Sequence, residues 1–559
     1  MSTDSWESIA AEAQKHRDAS IDRLQPPLPG LPATADLPLD VTSIPAAVLT
    51  PQEVAITEAS PEHVLQKLAG QEWSAVDVAS AFLRRAGLAQ QLVNCITELT
   101  PERALARAKE CDDYLKTHGK PMGPLHGLPI SVKEMVGMKG LDLNAGFCGW
   151  WGTVAEEDAW LLDSLWDAGC VFYARTTQPQ TLMHLETSSN LYGVTVNPYN
   201  RNLTSGGSSG GEGALLGIKG SCLGIGTDIG GSIRSPAANN GVYGLRPTAN
   251  RLPLGGLSAS MEGAEHIMPV IGPMSTSLAG IDIFMHAALA KKPWLRSPSL
   301  VPLPWTPPAT LASTPGKPIK VGVLWDDGIV KPHLPILRAL QETVAKLQTA
   351  GNSQFEFVDW TPYKHDEAWE IIASLYFADG GAEESAAIAS SGEPWRPLSR
   401  WIIPDNPHVK NLSIAELWAL TNRRDAYRAQ YAQVWNDTAS GVDATTGDLL
   451  GAVDVILCPV GPGAAPPLDC ARYWGYTSQW NLLDYPALVF PVGKVDQQRD
   501  AKDGSYQPRN EQDLYNHELY DPKVYENAPI SLQLVGRRFE DEKVVGVCRA
   551  MEAVLKTAL

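Results

Sequence analysis

The stretch that decides the fold runs from residue 204 to residue 236 and reads TSGGSSGGEGALLGIKGSCLGIGTDIGGSIRSP. A third of it is glycine, whereas glycine makes up about 7% of ordinary proteins. Glycine allows positive φ angles and a close approach of the backbone to a ligand. Ser208 and Ser209 precede one helical run, and Ser232 precedes the next. Hydroxyls beside backbone N–H groups are what acyl-transfer chemistry needs, so this stretch is the candidate catalytic segment.

Two familiar motifs match part of this stretch but lack their structural context. Residues 206–210 match the G-x-S-x-G nucleophile elbow, but that elbow follows an apolar strand, and residues 197–204 are polar and broken by a proline. Gly224 and Gly226 begin a dinucleotide-binding pattern, yet the third glycine comes one residue late. No acidic residue stands near position 250, where the ribose hydroxyls require one. Neither a phosphate loop nor a His-Glu-x-x-His metal motif occurs in the chain.

A third match is more extensive, because the chain resembles the amidase signature family over most of its length. The segments that carry this resemblance are 127–134 (GLPISVKE), 206–214 (GGSSGGEGA) and 226–236 (GTDIGGSIRSP). The 75 residues from Lys133 to Ser208 and the 24 residues from Ser208 to Ser232 are similar to the spacing in fatty acid amide hydrolases. Segments 454–459 and 529–536 resemble fungal-type general amidases, the acetamidases.

The resemblance covers roughly residues 60–540 and implies the amidase signature fold with a Ser-cisSer-Lys catalytic triad. In that triad Ser232 is the nucleophile, Ser208 the bridging hydroxyl and Lys133 the base. The peptide bond between Gly207 and Ser208 is expected to be cis, and no cofactor or metal is implied. The other expected site residues are the oxyanion-hole donors Ile229, Gly230, Gly231 and Ser232, the acyl-side residue Leu182, and the supporting residues Ser209, Asp228 and Arg234, of which the last two would hold the loop.

Elementary chemistry supports a lysine base independently of this resemblance. A serine hydroxyl is a weak nucleophile unless a neighbour takes its proton, and no histidine lies within residues 204–236. A free lysine is protonated at pH 7, but burial can lower its pKa by several units. Lys133 follows the apolar run 128–132, so we interpret it as a buried catalytic lysine.

Charge and cysteine usage limit the partners. The chain has 559 residues with 45 Lys+Arg and 63 Asp+Glu, a formal charge of −18, which argues against nucleic-acid binding. No stretch reaches 18 consecutive apolar residues, so we expect no transmembrane segment. No secretory signal is visible, and eight scattered cysteines are typical of reduced thiols. We expect a cytoplasmic enzyme that binds a small-molecule amide, and the resemblance leaves a homodimer open.

Short apolar runs alternate with helical patterns, which predicts an α/β fold, a single large domain whose central mixed β-sheet is covered by helices. Residues 1–60 are predicted to form an N-terminal helical arm and a Pro-rich connector. Residues 61–559 are predicted to form the catalytic domain, with insertions at about 293–318 and 494–528. The predicted strands include 128–132, 170–174, 319–324, 355–359, 453–459, 487–492 and 530–535, and the predicted helices include 5–25, 158–168, 334–350 and 541–557.

The predicted function is that of a serine amidohydrolase that cleaves linear carboxylic amides to an acid plus ammonia or an amine, through an acyl-Ser232 intermediate. The alternative is the glutaminase-type subunit of an amidotransferase, since the same triad would serve both. Leu182, Met183 and nearby aromatic residues predict a neutral or apolar acyl group. The loops expected to set specificity are 138–160, 293–318 and 460–482.

Overall fold

The computed structural model describes residues 5–308, 317–350 and 353–557. The strands are β1 (Ile96–Leu99), β2 (Pro129–Lys133), β3 (Val171–Thr176), β4 (Ser188–Ser189), β5 (Gly193–Val194), β6 (Leu223–Asp228), β7 (Tyr243–Arg246), β8 (Val270–Ser275), β9 (Ile319–Val323), β10 (Phe355–Asp359), β11 (Gly441–Val442), β12 (Leu449–Leu450), β13 (Val455–Pro459), β14 (Ala487–Lys494) and β15 (Pro529–Val535).

The helices are α1 (Trp6–Asp22), α2 (Ile44–Val48), α3 (Pro51–Thr57), α4 (Pro61–Ala69), α5 (Ala75–Val93), α6 (Pro101–His118), α7 (Trp160–Asp167), α8 (Gly210–Gly217), α9 (Arg234–Asn239), α10 (Leu278–Ala290), α11 (Leu334–Ala350), α12 (His365–Tyr376), α13 (Ala382–Ser391), α14 (Pro397–Ile402), α15 (Ile414–Asn436), α16 (Gly475–Leu483), α17 (Glu511–Leu519) and α18 (Asp541–Thr557). Short 3₁₀ turns occupy Thr34–Asp36, Cys148–Trp150 and Pro293–Leu295.

Within the described part of the chain, eleven strands form one sheet in the order β1-β3-β2-β6-β8-β7-β14-β15-β13-β9-β10. β2 pairs in parallel with β3 and β6, and β9 pairs in parallel with β10 and β13. The remaining neighbours are antiparallel. Helices α8 and α10 pack on the β6–β8 region, and α11 and α18 pack on the β13–β15 region. The predicted α/β fold with one central mixed sheet covered by helices is confirmed.

The parallel pairing of β2 and β6 brings the candidate site together. Ser131 lies opposite Gly224, and Val132 lies opposite Ile225. Every residue of both strands is buried, as is usual where helices cover both faces of a parallel pair. Because parallel strands end at the same edge of a sheet, the carboxyl ends of β2 and β6 are adjacent. Lys133 ends β2, and Asp228 ends β6.

The segments outside this sheet core differ in how much regular structure they carry. Helix α1 lies against β1, and the N–H of Leu99 donates a hydrogen bond to Ser20 Oγ at 2.9 Å. Residues 293–308 begin with a 3₁₀ turn and contain no α-helix or β-strand, and 309–316 lie outside the described residues. Residues 494–528 contain α17 and bury Tyr520 and Tyr525. The domain boundary at residue 60 and the two insertions stay predictions.

Candidate active site

Lys133 is the charged group at the centre of the site. It lies at the end of β2 and is fully buried. Its Nζ donates hydrogen bonds to Ser208 Oγ at 2.6 Å and to Thr227 Oγ1 at 2.9 Å. Burial lowers the pKa of Lys133 to about 7, although the nearby carboxylates of Asp228, Glu212 and Glu134 oppose this shift. A substantial fraction of Lys133 is therefore neutral near pH 7, and neutral lysine can accept a proton.

Ser208 reaches Lys133 from the tight turn that precedes α8. The peptide bond between Gly207 and Ser208 is cis, as expected from the resemblance. Gly207 has no room for a side chain, since a Cβ there would lie 2.5 Å from the backbone of both His184 and Glu186. The N–H of Ser209 donates to the carbonyl of Ser232 at 3.0 Å, which joins the turn before α8 to the turn before α9.

A cavity of about 430 Å³ opens beside Ser208 and Ser232. Ser208, Ser232 and Thr227 are among the polar residues that line it. Ser232 is 6% exposed, so its hydroxyl lies at the cavity wall. The apolar side chains on the wall are Met135, Leu182, Met183, Leu254, Leu257, Ile267, Met268 and Leu375. An apolar group attached to a carbonyl at Ser232 could therefore be buried.

The loop 229–232 connects β6 to α9 and supplies backbone N–H groups. The N–H of Gly231 donates to Asp228 Oδ1 at 2.9 Å. Across residues 5–308, 317–350 and 353–557, the N–H groups of Ile229, Gly230 and Ser232 have no hydrogen-bond acceptor. Of the four donors expected for an oxyanion hole, three are thus available and Gly231 is already bonded.

Asp228, which pairs with Arg234, holds this loop by accepting hydrogen bonds from its backbone. Arg234 Nη2 lies 3.0 Å from Asp228 Oδ1, and Arg234 Nε donates to Oδ2 at 3.1 Å. Asn481 Nδ2 also donates to Asp228 Oδ1 at 2.9 Å. Burial alone would raise the pKa of Asp228, but Arg234 and Asn481 bring it down to about 2. Asp228 therefore stays ionised and accepts from the loop throughout the physiological pH range.

Glu212 is a second buried carboxylate in the neighbourhood of Lys133. Glu212 on α8 accepts hydrogen bonds from Ser131 Oγ at 2.6 Å and from Thr176 Oγ1 at 2.7 Å. Ser131 and Lys133 are two residues apart on β2 and so project from the same face. Burial raises the pKa of Glu212 to about 7. A Cβ at Gly224 would lie 2.0 Å from Glu212 Oε2, so this glycine leaves the space that the carboxylate fills.

Comparison with known proteins gives the family. The family model named Amidase matches residues 77–545. The chain belongs to the amidase family. It is 46% identical to a Schizosaccharomyces pombe protein, covering 98% of this chain and 99% of that one. It is 39% identical to the acetamidase of Emericella nidulans, covering 99% and 98% of the two chains. A solved fatty acid amide hydrolase superposes with a TM-score of 0.89 at 34% identity, covering 98% and 95%.

Family membership makes this chain a hydrolase of the carbon–nitrogen bond in amides, so the predicted enzyme class is confirmed. The alignments with two proteins named acetamidase span nearly the whole length of both chains. This similarity favours an amidase over the glutaminase subunit of an amidotransferase. Among the described residues, no group of three or more His, Cys, Asp or Glu side chains could hold a metal. In the same part of the chain, no helix is long and apolar enough to cross a membrane.

The structure brings the predicted residues of this amidase to one place. Leu182 lies on the cavity wall with a positive φ of 61°, next to Thr181 at 67°. Ser209 does not line the cavity, and its Oγ accepts a hydrogen bond from the N–H of Thr227 at 3.2 Å. Lys133 donates a hydrogen bond to Ser208, and Ser208 and Ser232 line the same cavity. Asp228, paired with Arg234, accepts from the N–H of Gly231 in the loop.

Two features of the site were missed by sequence reasoning. Thr227, the second partner of Lys133, lies inside the signature motif, and only the pairing of β2 with β6 reveals its contact. The cavity wall comes largely from residues 254–269. Within the described residues, the loops expected to set specificity, 138–160, 293–318 and 460–482, contribute no residue to the cavity wall, and their role in specificity stays a prediction. The 254–269 segment has no motif that distinguishes it from an ordinary surface loop.

Gly224→Ala tests the packing of Glu212 under Lys133. The added methyl group cannot fit without moving the buried carboxylate, and overpacking of this kind costs about 1–3 kcal/mol. Urea unfolding should show a loss of that size. The control is Gly504→Ala, where a Cβ meets nothing within 4 Å, and its free energy of unfolding should stay within about 0.5 kcal/mol of the parent. Equal stability of the two variants would contradict this account of Gly224.

Proposed function

We propose that this amidase cleaves its substrate through a covalent acyl-Ser232 intermediate, with Ser208 as proton relay and Lys133 as base. The observation that carries the proposal is the 2.6 Å hydrogen bond between a fully buried lysine and Ser208. A buried lysine with a pKa of about 7 is present partly as the free base. That form can take a proton from a hydroxyl group, whereas a solvated lysine cannot do so at neutral pH.

In the acylation half-reaction, Ser232 Oγ attacks the amide carbon and passes its proton to Ser208. Ser208 in turn passes its own proton to the neutral Nζ of Lys133. The proton then returns through Ser208 to the substrate nitrogen, because an amine must be protonated to leave. The C–N bond breaks, and ammonia or an amine departs from the acyl-Ser232 ester.

Deacylation uses the same relay in the same order. A water molecule attacks the ester carbon, and its proton moves through Ser208 to Lys133. When the bond between the acyl carbon and Ser232 Oγ breaks, that proton returns to the serine. The acid is released, and the enzyme regains its starting protonation state.

Negative charge that develops on the carbonyl oxygen is stabilised by backbone N–H groups of the 229–232 loop. We assign this role to the N–H groups of Ile229, Gly230 and Ser232, because the N–H of Gly231 is bonded to Asp228. Loss of one such donor typically costs about 3–4 kcal/mol of transition-state stabilisation. Free donors held by a rigid scaffold therefore account for a large part of the rate.

The acyl group is proposed to be neutral and apolar, and longer than acetyl. Leu182 and Met183 lie on the cavity wall near the serines, and the cavity volume of about 430 Å³ greatly exceeds that of an acetyl group. Glu262 and Glu265 also line the cavity and would repel an anionic substrate. The apolar wall therefore favours a monoamide with an alkyl or aryl chain.

A cytoplasmic location is part of the proposal, supported by the eight cysteines, all of which are free thiols and seven of which are buried. Such a set is typical of a reducing compartment. Self-association as a homodimer stays an expectation from the family resemblance.

Replacing the triad residues tests the mechanism. Ser232→Ala and Lys133→Met should each lower kcat by at least about a thousandfold, since members of one catalytic unit fail together. Amide turnover is measured by release of ammonia, and a fluorophosphonate probe should add one label to Ser232 of the parent enzyme. The control is Ser235→Ala, three residues beyond Ser232 in the first turn of α9, which should retain turnover and labelling. Full turnover in Ser232→Ala would refute the acyl-enzyme.

The pH profile tests the role of Lys133. The lysine must be unprotonated to act, and its pKa is lowered from the ordinary lysine value to about 7. The value of kcat/KM should therefore fall as pH drops below about 7 and level off above it. Asp228, Glu212 and Glu134 are the charged groups that act to raise the pKa of the lysine. A profile that stays flat down to pH 5 would contradict a lysine base.

A matched substrate series tests the acyl preference. Hexanamide should be cleaved at least tenfold better than acetamide in kcat/KM, because each buried methylene contributes about 0.8 kcal/mol. Adipamate has the same chain length with a terminal carboxylate, and it should be cleaved at least tenfold more slowly than hexanamide. Acetamide that equals hexanamide would refute the long apolar acyl site. Glutamine as the best substrate would instead restore the glutaminase alternative.

A further inference from the structure

The loop 229–232 is held by two hydroxyl groups that lie far away in the sequence. Tyr376, the last residue of α12, donates its hydroxyl to the carbonyl of Ile229 at 2.8 Å. Thr477 on α16 donates its hydroxyl to the carbonyl of Gly230 at 2.6 Å. These two carbonyls belong to consecutive peptide units of the loop, so the loop conformation depends on both contacts.

A trans peptide unit points its C=O and its N–H in opposite directions. The Tyr376 hydroxyl that holds the Ile229 carbonyl therefore also sets the direction of the Gly230 N–H. In the same way, Thr477 sets the direction of the Gly231 N–H, which donates to Asp228 Oδ1 at 2.9 Å. Each hydroxyl thus binds the carbonyl of a peptide unit and thereby fixes the direction of the N–H group on the opposite side of the same unit.

The packing around the loop leaves little freedom for these contacts to change. A Cβ at Gly230 would lie 2.8 Å from both the Tyr376 hydroxyl and Trp474 Cζ3. A Cβ at Gly231, whose φ is +131°, would lie 2.5 Å from Thr477 Oγ1. Tyr376 itself is 2% exposed, and its ring lies 6.0 Å from that of Trp474. Helices α12 and α16 therefore support the loop over its whole length.

We propose that Tyr376 and Thr477 are positioning residues of the oxyanion loop, whose hydroxyls keep the Ile229 and Gly230 carbonyls turned away from the reacting carbonyl of the substrate. This inference rests on the proposed acyl-Ser232 mechanism. If the Ile229 carbonyl rotated toward the substrate, its lone pair would replace the Gly230 N–H donor beside the developing negative charge. If the Gly230 carbonyl rotated, the Gly231 N–H would lose its hydrogen bond to Asp228, which holds the loop. The two hydroxyls thus act through the backbone and need no contact with the substrate.

The hydroxyls of Tyr376 and Thr477 can be removed with little change in side-chain volume. Phenylalanine would fill the space of the Tyr376 ring, and valine would fill that of Thr477. Both would leave a buried carbonyl without its donor, and a peptide unit that has lost its partner is free to reorient. Removal of either hydroxyl should therefore affect the transition state more than the bound substrate.

The test compares Tyr376→Phe and Thr477→Val with the control Tyr520→Phe. Tyr520 is also a buried tyrosine that donates to a backbone carbonyl, that of Asp500 at 2.7 Å, but it lies in the 494–528 segment away from the cavity. We measure kcat and KM for hexanamide. We also measure the affinity for an alkyl boronic acid, which forms a tetrahedral adduct with the active-site serine.

Each loop variant should lower kcat by about tenfold to a hundredfold, keep KM within twofold and weaken the boronic acid by the same factor as kcat. Tyr520→Phe should leave all three quantities unchanged. A folded Tyr376→Phe or Thr477→Val enzyme with kcat within twofold of the parent would overturn the inference. A rise in KM with kcat unchanged would also overturn it, and if one variant fails to fold, the other decides.

Labelling of the parent enzyme separates this inference from the proposed function. If a fluorophosphonate fails to label Ser232 of the parent, the acyl-enzyme proposal itself is refuted. If the parent is labelled and either folded loop variant retains kcat within twofold of the parent, only the positioning role is refuted.

Discussion

The burial of one ammonium group is the constraint on which the rest of this structure depends. Lys133 is fully removed from water at the end of a central strand, and desolvation of a charged amine is costly unless partners compensate. Two hydroxyl groups accept its hydrogen bonds, and three carboxylates nearby favour its charged form. The balance leaves its pKa at about 7, so the group can hold or release a proton in neutral solution. A more polar environment would leave the lysine permanently charged and unable to act as a base.

That balance explains the arrangement of glycines and carboxylates around the lysine. Gly224 leaves space in β6 for the carboxylate of Glu212, and Gly207 lets the backbone before Ser208 pass close to residues 184–186. The environments of Asp228 and Glu212 differ. Asp228 is kept ionised by its ion pair with Arg234, whereas Glu212 accepts hydrogen bonds only from neutral hydroxyls. Two buried acids within one site therefore have pKa values of about 2 and about 7. The first holds the loop, and the second lies under the base.

Much of the fold could be predicted from local patterns. The helix predicted at 334–350 matches α11, and the strand predicted at 355–359 matches β10, because both have strong apolar periodicity and clear turns at their ends. The strand before the lysine is displaced by one residue, since Lys133 itself takes part in the pairing with β3. The cavity wall at 254–269 could not be predicted, because its residues form no regular element and the opposing wall residues, Leu375 and Tyr376, come from α12. The loops 138–160, 293–318 and 460–482 contribute no described residue to the cavity wall.

The sequence by itself determined the chemistry of this protein. A glycine- and serine-rich segment with a lysine 75 residues upstream indicated which side chains are candidates for the reaction, because turn geometry and close backbone approach are local requirements. Only the tertiary structure decided how the site is supported. Thr227 contacts the lysine through the β2–β6 pairing, and Tyr376 and Thr477 contact the loop from helices 147 and 247 residues away. Such contacts depend on long-range packing of the whole sheet and its helices, so no local pattern in the chain carries them.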